Sequence, residues 1–494
     1  MDLRRDITAQ AVLADRRRFL KAAATWGPDA TVDLGPLSAD TAAAARVVRK
    51  GGAVPLVELS GLADRALVPA LLHMTKAQAS VTLDAPWAPP QPVALTDASL
   101  SDLLYRALRH AESTGAADLR AALDACRGYR RILAGAPRDP DDPLDLRYDL
   151  THAPAETPRL TFLVTRNCQL RCRYCMVKLW DEDAVDADHL RGVDVLFAGE
   201  ADTVRMQFYG GEPLLRFPLI QQLVRRGRQL EGETGKRLAI ILITNGILMT
   251  PEVATFCRDH DVEVLLSLDG GPEVTNQGRL PHTRPPAHIE RADGDTHGAA
   301  RRALGVLKAA GARTHVILTI TPDQAHTAAH GFAHVASLGA DMLQICYAMG
   351  VGWGAQATET LCEQFGQIID RHGDDIAAGR LMWVNLWRNE PVLIDTALQL
   401  ETDGRVCFMN ECMFEKYKQG RNYGVTHIDA IDDLRHVGST RFHNYAMLTA
   451  IYGDRRPKYR DIMLDNLAVG EAVRGYLAEH LGDRLGGLPH AGET

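Results

Sequence analysis

The sequence has no long apolar run. Its most hydrophobic stretch, Leu238 to Met249, is interrupted by Thr244, Asn245 and Gly246, whereas a membrane-spanning helix needs about 20 consecutive apolar residues. The sequence also has no segment in which charges of one sign are concentrated. The 55 basic and 63 acidic residues give a net charge of −8 without a long block of either sign. We therefore expect neither a membrane nor a nucleic acid as a partner.

Cysteine is scarce. The 494 residues include nine cysteines, which is an odd number, and they are unevenly spaced. That pattern suits a reducing compartment, in which thiols serve metal binding or catalysis. The basic segment Asp15 to Lys21 is similar to a twin-arginine export signal. The stretch Ala22 to Pro28 is too short for a signal region of about 7–15 apolar residues, and no cleavage site follows. We therefore expect a cytoplasmic protein.

The length suggests two or three domains, since domains usually have about 100–200 residues. We divide the chain into an N-terminal domain (1–155), a middle domain (156–350) and a C-terminal extension (351–494). The N-terminal domain has an α+β pattern, with expected helices at Thr41 to Arg49 and Leu100 to Thr114. It carries no motif with an assignable chemistry.

The middle domain alternates short β-branched runs with helical patterns. The strand-like runs span 159–165, 204–209, 238–244, 262–268, 314–320 and 342–347, and the helical patterns span 187–197, 215–229, 251–260, 298–310 and 324–338. Six such units predict an α/β fold with a parallel sheet, and they are too few for a closed eightfold barrel. We expect a partial (βα)6 barrel with its site at the carboxyl ends of the strands.

Three cysteines follow the first of these strands in a C-x3-C-x2-C arrangement: Cys168, Cys172 and Cys175. Three thiolates on one tight loop can hold three irons of a [4Fe–4S] cluster and leave the fourth iron open for chemistry. Three buried structural cysteines are the alternative. Zinc is another, although it needs a fourth ligand that no nearby cysteine pair supplies.

The cysteine motif, read as Cys168-Gln-Leu-Arg-Cys-Arg-Tyr-Cys175, resembles the signature of the radical S-adenosylmethionine (SAM) enzymes. Three further motifs of that family follow in order at successive strand ends: Gly210-Gly-Glu-Pro213, Thr244-Asn-Gly246 and Ser267-Leu-Asp-Gly270. The resemblance covers about residues 159–350. It implies a [4Fe–4S] cluster and SAM as cofactors.

The same motifs supply the expected SAM site. Gly210 and Gly211 have no side chain to block close approach of the backbone to the methionine end, and Glu212 and Pro213 complete their turn. The side chains of Thr244, Asn245, Ser267 and Asp269 offer polar partners for SAM. By the resemblance, the backbone of Tyr174 contacts the adenine and Arg279 pairs with the SAM carboxylate. Arg279 could instead be a solvated loop cation.

The resemblance also implies a reaction. SAM is cleaved to a 5′-deoxyadenosyl radical, which takes a hydrogen atom from the substrate. The motif style is similar to the branch of peptide and protein maturases with SPASM or twitch extensions, including those of ribosomally made peptides. Such extensions hold auxiliary clusters. Here Cys346, Cys407 and Cys412 with one further ligand could hold one such cluster, or the extension has none.

We therefore expect an enzyme that modifies a peptide or protein and receives electrons from a donor such as flavodoxin or ferredoxin. Two alternatives stay open: a radical SAM enzyme acting on a small metabolite, and a non-catalytic iron–sulfur or zinc protein. In peptide maturases a winged-helix domain binds the leader by β-augmentation. The N-terminal domain is a candidate for that role.

Overall fold

The computed structural model describes residues 31–38, 41–48, 56–60, 80–94 apart from 84 and 87, and scattered positions between 103 and 115. It further describes 158–177 apart from 176, then 181–386, 397–408, 426–434 apart from 433, and 457–481. The basic segment at 15–21 lies outside these residues. None of the described helices is long and apolar enough to cross a membrane. The chain divides into two compact units.

The first unit comprises residues 1–153, 405–408 and 419–461. Its sheet has the order β1-β2-β3-β4-β5, in which the β3–β4 pair is parallel and the other pairs are antiparallel. The strands are β1 (Thr31–Ser38), β2 (Thr41–Val48), β3 (Leu56–Ser60), β4 (Ser80–Leu83) and β5 (Val93–Ala94).

The expected helix at Thr41 to Arg49 is wrong, because this segment forms β2 and pairs with both β1 and β3. Its run of alanines favours a helix locally. Two flanking strands offer its backbone a hydrogen-bonding partner on each side, and this tertiary pairing overrides the local preference.

The second unit comprises residues 154–404, 409–418 and 462–494. Six of its strands confirm the six predicted runs, and every neighbouring pair among them is parallel. They are β6 (Arg159–Thr165), β7 (Thr203–Gly210), β8 (Arg237–Thr244), β9 (Val262–Ser267), β10 (Thr314–Ile320) and β11 (Met342–Tyr347). This is the α/β arrangement of a partial barrel.

Six helices connect these strands: α1 (Asp186–Phe197), α2 (Phe217–Thr234), α3 (Pro251–Asp259), α4 (Pro272–Gly278), α5 (Thr296–Ala310) and α6 (Ala328–Ser337). Helix α1 packs so closely on β6 that a Cβ at Gly192 would lie 3.0 Å from the Phe162 ring. Helix α4 was not predicted. It fills the connection between β9 and α5.

Two short strands extend the parallel sheet beyond the six that were predicted. β12 (Met382–Trp383) pairs with β11, and β13 (Leu398–Leu400) pairs with β6 on the opposite edge. The remaining described elements are β14 (Arg405–Phe408), β15 (Thr426–His427), α7 (Gly354–Ala377) and α8 (Pro457–Leu481). β14 and β15 form an antiparallel pair in the first unit.

The buried imidazole of His189 in α1 makes stability depend on pH. Its Nδ1 lies 3.2 Å from the carbonyl oxygen of Val185, and its Nε2 is buried without a partner. Burial lowers the pKa of His189 from 6.5 to about 4. The folded protein therefore favours the neutral ring, and stability from this residue is present above pH 6.5 and is lost as the pH falls toward 4.

We expect His189→Gln to flatten the loss of stability between pH 6.5 and pH 4. In that range the unfolded wild-type chain takes up a proton that the folded chain does not, which costs up to about 1.4 kcal/mol per pH unit. Urea unfolding, followed by tryptophan fluorescence at several pH values, measures the slope. The exposed His326→Gln is the control. Equal slopes for wild type and His189→Gln would contradict the assignment.

Candidate functional site

The three motif cysteines lie in one loop at the carboxyl end of β6. Cys168 is buried, and Cys172 and Cys175 are half-buried. The N–H of Cys175 donates to the carbonyl of Cys172 at 3.1 Å, which closes a tight turn between them. The loop therefore gathers three thiols within eight residues at the edge where the parallel strands end.

The backbone of this cysteine loop is hydrogen-bonded to residues 278–282, which begin with the last residue of α4. The N–H of Arg171 donates to Leu280 at 2.7 Å, and the N–H of Arg173 donates to Gly278 at 2.9 Å. In the other direction, the N–H of His282 donates to the carbonyl of Gln169 at 2.7 Å. A loop without regular structure thus has its backbone groups satisfied along one side.

The glycine turn after β7 packs directly against the start of the cysteine loop. The N–H of Gly211 donates to Thr165 at 2.9 Å, and the N–H of Glu212 donates to Asn167 at 2.8 Å. A Cβ at Gly211 would lie 2.1 Å from the carbonyl oxygen of Asn167. Gly210 has φ +142°, which side chains disfavour. The conformation and packing of the protein backbone therefore already require glycine at both positions.

Glu212 is fully buried and connects two of the predicted motifs. Its carboxylate accepts hydrogen bonds from the Leu214 N–H at 3.1 Å, the Thr244 hydroxyl at 2.7 Å and the Asn245 N–H at 2.8 Å. Burial raises the pKa of Glu212, and these donors partly oppose the shift. The carboxylate holds the turn after β7 against the turn after β8.

Asp269 connects a second group of elements. Arg279 donates to it in a bidentate pair through Nε at 2.9 Å and Nη2 at 2.8 Å. The Tyr174 hydroxyl and the Thr319 N–H, the latter at 2.9 Å, also donate to Asp269. Tyr174 lies between Cys172 and Cys175, so this carboxylate anchors the cysteine loop to the ends of β9 and β10.

Arg279 is 7% exposed, so the alternative of a solvated loop cation is wrong. Its guanidinium lies over the Tyr174 ring, with Cζ 5.5 Å from the ring centroid. A carboxylate accepts about four hydrogen bonds, and Asp269 accepts four in this structure. A contact of Asp269 with SAM stays a prediction, and it would require one of these bonds to be released.

Burial opposes ionisation of two of the three thiols. Burial raises the pKa of Cys172 to about 12, although the positive charge of Arg279 lowers it. Burial also raises the pKa of Cys168, and the neighbouring Glu212 carboxylate raises it further. Thiolates here would need a strongly cationic partner, which bound iron supplies.

A cluster and a single zinc ion require different spacings of the three sulfurs. A tetrahedral zinc ion with Zn–S of about 2.3 Å would hold its sulfurs about 3.8 Å apart. In a cubane cluster each cysteine binds a different iron, which spreads the sulfurs.

The other predicted residues have distinct surroundings. Within the described part of the chain, the Ser267 hydroxyl and the backbone polar groups of Tyr174 make no hydrogen bond, so they remain available to a ligand. Pro213 begins a 3-10 turn that Glu212 caps. Cys346 ends β11 in register with Thr319, and burial raises the pKa of its thiol to about 12.

Cys407 lies in β14, in a stretch whose side chains are outside the described residues, and Cys412 lies outside them altogether. The proposed auxiliary ligands therefore stay a prediction. Sequence reasoning missed the buried ion pair between Arg166, at the end of β6, and Glu401, after β13. The two residues are 235 positions apart, and no motif marks Glu401.

Residues 162–326 match the model of the Radical SAM superfamily. This segment, about a third of the chain, is a radical SAM domain, as its motifs predicted. A [4Fe–4S] cluster and SAM are the cofactors that this family implies. Cys168, Cys172 and Cys175 are the residues that would hold the cluster.

Curated proteins are similar to about a quarter of this chain or less. An uncharacterized protein of Methanocaldococcus jannaschii, MJ0907, is 29% identical over 111 residues, which are 22% of this chain and 38% of that one. The radical SAM cyclopropyl synthase TigE of Paramaledivibacter caminithermalis is 21% identical over 141 residues, 24% of this chain and 29% of its own length. The GTP 3′,8-cyclase of Geobacter sulfurreducens is 34% identical over 115 residues, 22% of this chain and 33% of that one. The matches thus span less than half the length of each relative.

Solved structures extend the likeness at the level of fold. Native anSMEcpe with bound AdoMet aligns with a TM-score of 0.52 at 15% identity, over 67% of this chain and 100% of that chain. Native anSMEcpe with bound AdoMet and Cp18Cys peptide aligns with a TM-score of 0.51 at 16% identity, over 66% of this chain and 98% of that one. The radical SAM domain of the present chain therefore has the same partial-barrel fold.

We expect Gly211→Ala to reduce cluster loading as well as SAM binding, because the added Cβ would displace Asn167, next to Cys168. Overpacking of this kind costs about 1–3 kcal/mol. Iron per chain after anaerobic reconstitution measures the effect. Gly305→Ala is the matched control, since a Cβ there meets no atom within 4 Å. If Gly211→Ala keeps its full iron content and only SAM binding is weakened, the glycine is needed for the close approach of SAM instead.

Proposed function

We propose that this radical SAM enzyme modifies a side chain or backbone carbon of a peptide or protein. The observation that supports the proposal most is the fold shared with anSMEcpe, whose whole length is aligned and of which one structure holds AdoMet and a peptide. TigE, whose name describes a radical SAM cyclopropyl synthase, is 21% identical over 141 residues.

When bound, the cluster and SAM would supply a 5′-deoxyadenosyl radical for hydrogen-atom abstraction. The chain has to hold these groups and exclude water around them. In our proposal the three loop cysteines hold the irons, and the Ser267 hydroxyl and the Tyr174 backbone contact SAM with polar groups that the protein leaves free. The buried pair of Asp269 and Arg279 fixes the cysteine loop, because the Tyr174 hydroxyl donates a hydrogen bond to Asp269.

The N-terminal domain is proposed to bind the leader part of a precursor peptide. Within its described sheet, β1 is an edge strand of eight residues. An edge strand offers unpaired N–H and C=O groups to an incoming extended peptide. Pro36 in β1 lacks an N–H, so pairing on the outer side of this strand would be interrupted or confined to one part of it.

A small metabolite remains the second candidate substrate. The GTP 3′,8-cyclase of Geobacter sulfurreducens is 34% identical over 115 residues, which is higher than the identity of TigE. The peptide is the first candidate, because the edge strand β1 offers backbone groups to an extended peptide.

We expect the reconstituted, reduced enzyme to form 5′-deoxyadenosine faster, and to change the mass of the substrate, when given a precursor peptide encoded beside its gene. The measurement is chromatography of 5′-deoxyadenosine together with mass spectrometry of the peptide. The core peptide without its leader should react poorly if the N-terminal domain binds the leader. The Cys168/Cys172/Cys175→Ala protein is the control and should form none.

A GTP, sugar and amino-acid panel is the competing arm. Turnover of one of these compounds, with the peptide unchanged, would overturn the peptide proposal. Absence of 5′-deoxyadenosine from the wild-type protein under every condition would favour a non-catalytic iron–sulfur protein.

We further propose that the C-terminal extension holds at most one auxiliary cluster, with Cys346, Cys407 and Cys412 as ligands. A second [4Fe–4S] cluster normally takes four thiolates, so one ligand must come from another side chain or from the substrate. We expect about four irons per chain or fewer in the Cys168/Cys172/Cys175→Ala protein. Iron that disappears on adding Cys407→Ala would establish the auxiliary cluster, and about eight irons would overturn the proposal.

A further inference from the structure

Asn245 lies between two acidic groups of the site, the Glu212 carboxylate and the Cys168 thiol. Its backbone N–H donates to Glu212 Oε2 at 2.8 Å. Its side-chain Nδ2 lies 3.7 Å from Cys168 Sγ, within reach of an N–H···S hydrogen bond, and 3.5 Å from Gln169 Oε1. One residue therefore faces both groups with N–H donors.

The orientation of the Asn245 amide is fixed by the backbone. The N–H of Ile247 donates to Asn245 Oδ1 at 2.9 Å, in the turn that follows β8. A flipped amide would set an NH2 group against that N–H and an oxygen against the sulfur, so only one orientation satisfies both neighbours. The NH2 group consequently points at Cys168.

The sulfur that receives this donor is in a particular environment. Cys168 is buried, the Leu170 N–H donates to its Sγ at 3.3 Å, and Asn245 connects it to the buried Glu212 carboxylate. Negative charge on this sulfur is thus opposed by Glu212 and supported by two N–H groups. Asn245 acts on both groups, since its side chain faces the sulfur and its backbone N–H donates a hydrogen bond to the Glu212 carboxylate.

We infer that Asn245 is a positioning residue that keeps the reduction potential of the cluster high enough for its electron donor. Reduction adds negative charge to the cluster and its sulfurs, and N–H donors stabilise that charge. The inference rests on the cluster being bound by the loop cysteines. It does not depend on which substrate the enzyme modifies.

Two variants separate the hydrogen bond from the turn. Asn245→Asp keeps an oxygen for the Ile247 N–H but places a carboxylate against Cys168. Asn245→Ser keeps a hydroxyl acceptor for the same turn, stays neutral, and is too short to reach the sulfur. Asn276→Asp is the control, because Asn276 Oδ1 accepts from the His297 N–H on another part of the barrel.

The experiment is a redox titration of the reconstituted full-length protein, followed by electron paramagnetic resonance without SAM or substrate. A Cys407→Ala background removes any auxiliary cluster. We expect the midpoint potential to fall in the order wild type, Asn245→Ser, Asn245→Asp. For Asn245→Asp the reduction equilibrium should drop at least tenfold, about 59 mV for a one-electron couple. Asn276→Asp should match wild type.

Unchanged or higher potentials in both variants, with full iron content, would overturn the inference. Loss of the cluster from both variants would overturn it as well, because Asn245 would then hold the loop without tuning it. If only Asn245→Asp loses iron, the midpoint potential of Asn245→Ser tests the inference: a value below wild type supports it, and an unchanged or higher value overturns it. The readout contains neither SAM nor peptide, so its result is independent of the proposed function.

Discussion

Two buried carboxylates connect the loops that meet at the carboxyl edge of the parallel sheet. The loop after β6 has no regular structure, and a parallel sheet supplies only a common edge at which loops meet. Glu212 joins the turns after β7 and β8, and Asp269 joins the loop itself to the ends of β9 and β10. Without these acceptors, the strand ends would lie near one another but their side chains would have no fixed geometry.

The two carboxylates are stabilised in different ways, and this sets the charge around the three cysteines. Asp269 is paired with the guanidinium of Arg279, so its charge is neutralised by a formal cation. Glu212 is surrounded by neutral N–H and O–H donors, and burial raises its pKa. The uncompensated charge therefore lies on the side of Cys168, and the compensated charge lies on the side of Cys172 and Tyr174.

The sequence predicted the barrel strands well, because each is a buried β-branched run whose neighbours along the chain are also its neighbours in the sheet. The motifs could be recognised for the same reason, since each lies at the end of a strand or just after it, and the roles of their residues stay predictions. Contacts between distant segments were missed. Nothing near Arg166 indicates that Glu401 will pair with it, and β12 and β13 have only two and three residues. The alanine run of β2 gave the wrong prediction because only its partners make it a strand.

The substrate is harder to read than the cofactors, for a physical reason. Cofactor residues must lie at strand ends, where the sheet fixes them, so their order along the chain is a recognisable pattern. A substrate is recognised by whatever covers the barrel, and such surfaces vary while the fold stays the same. In this chain the cofactor motifs fall within residues 162–326, and both outer regions lie beyond that match. Evidence about the substrate therefore has to come from the N-terminal sheet and the C-terminal extension.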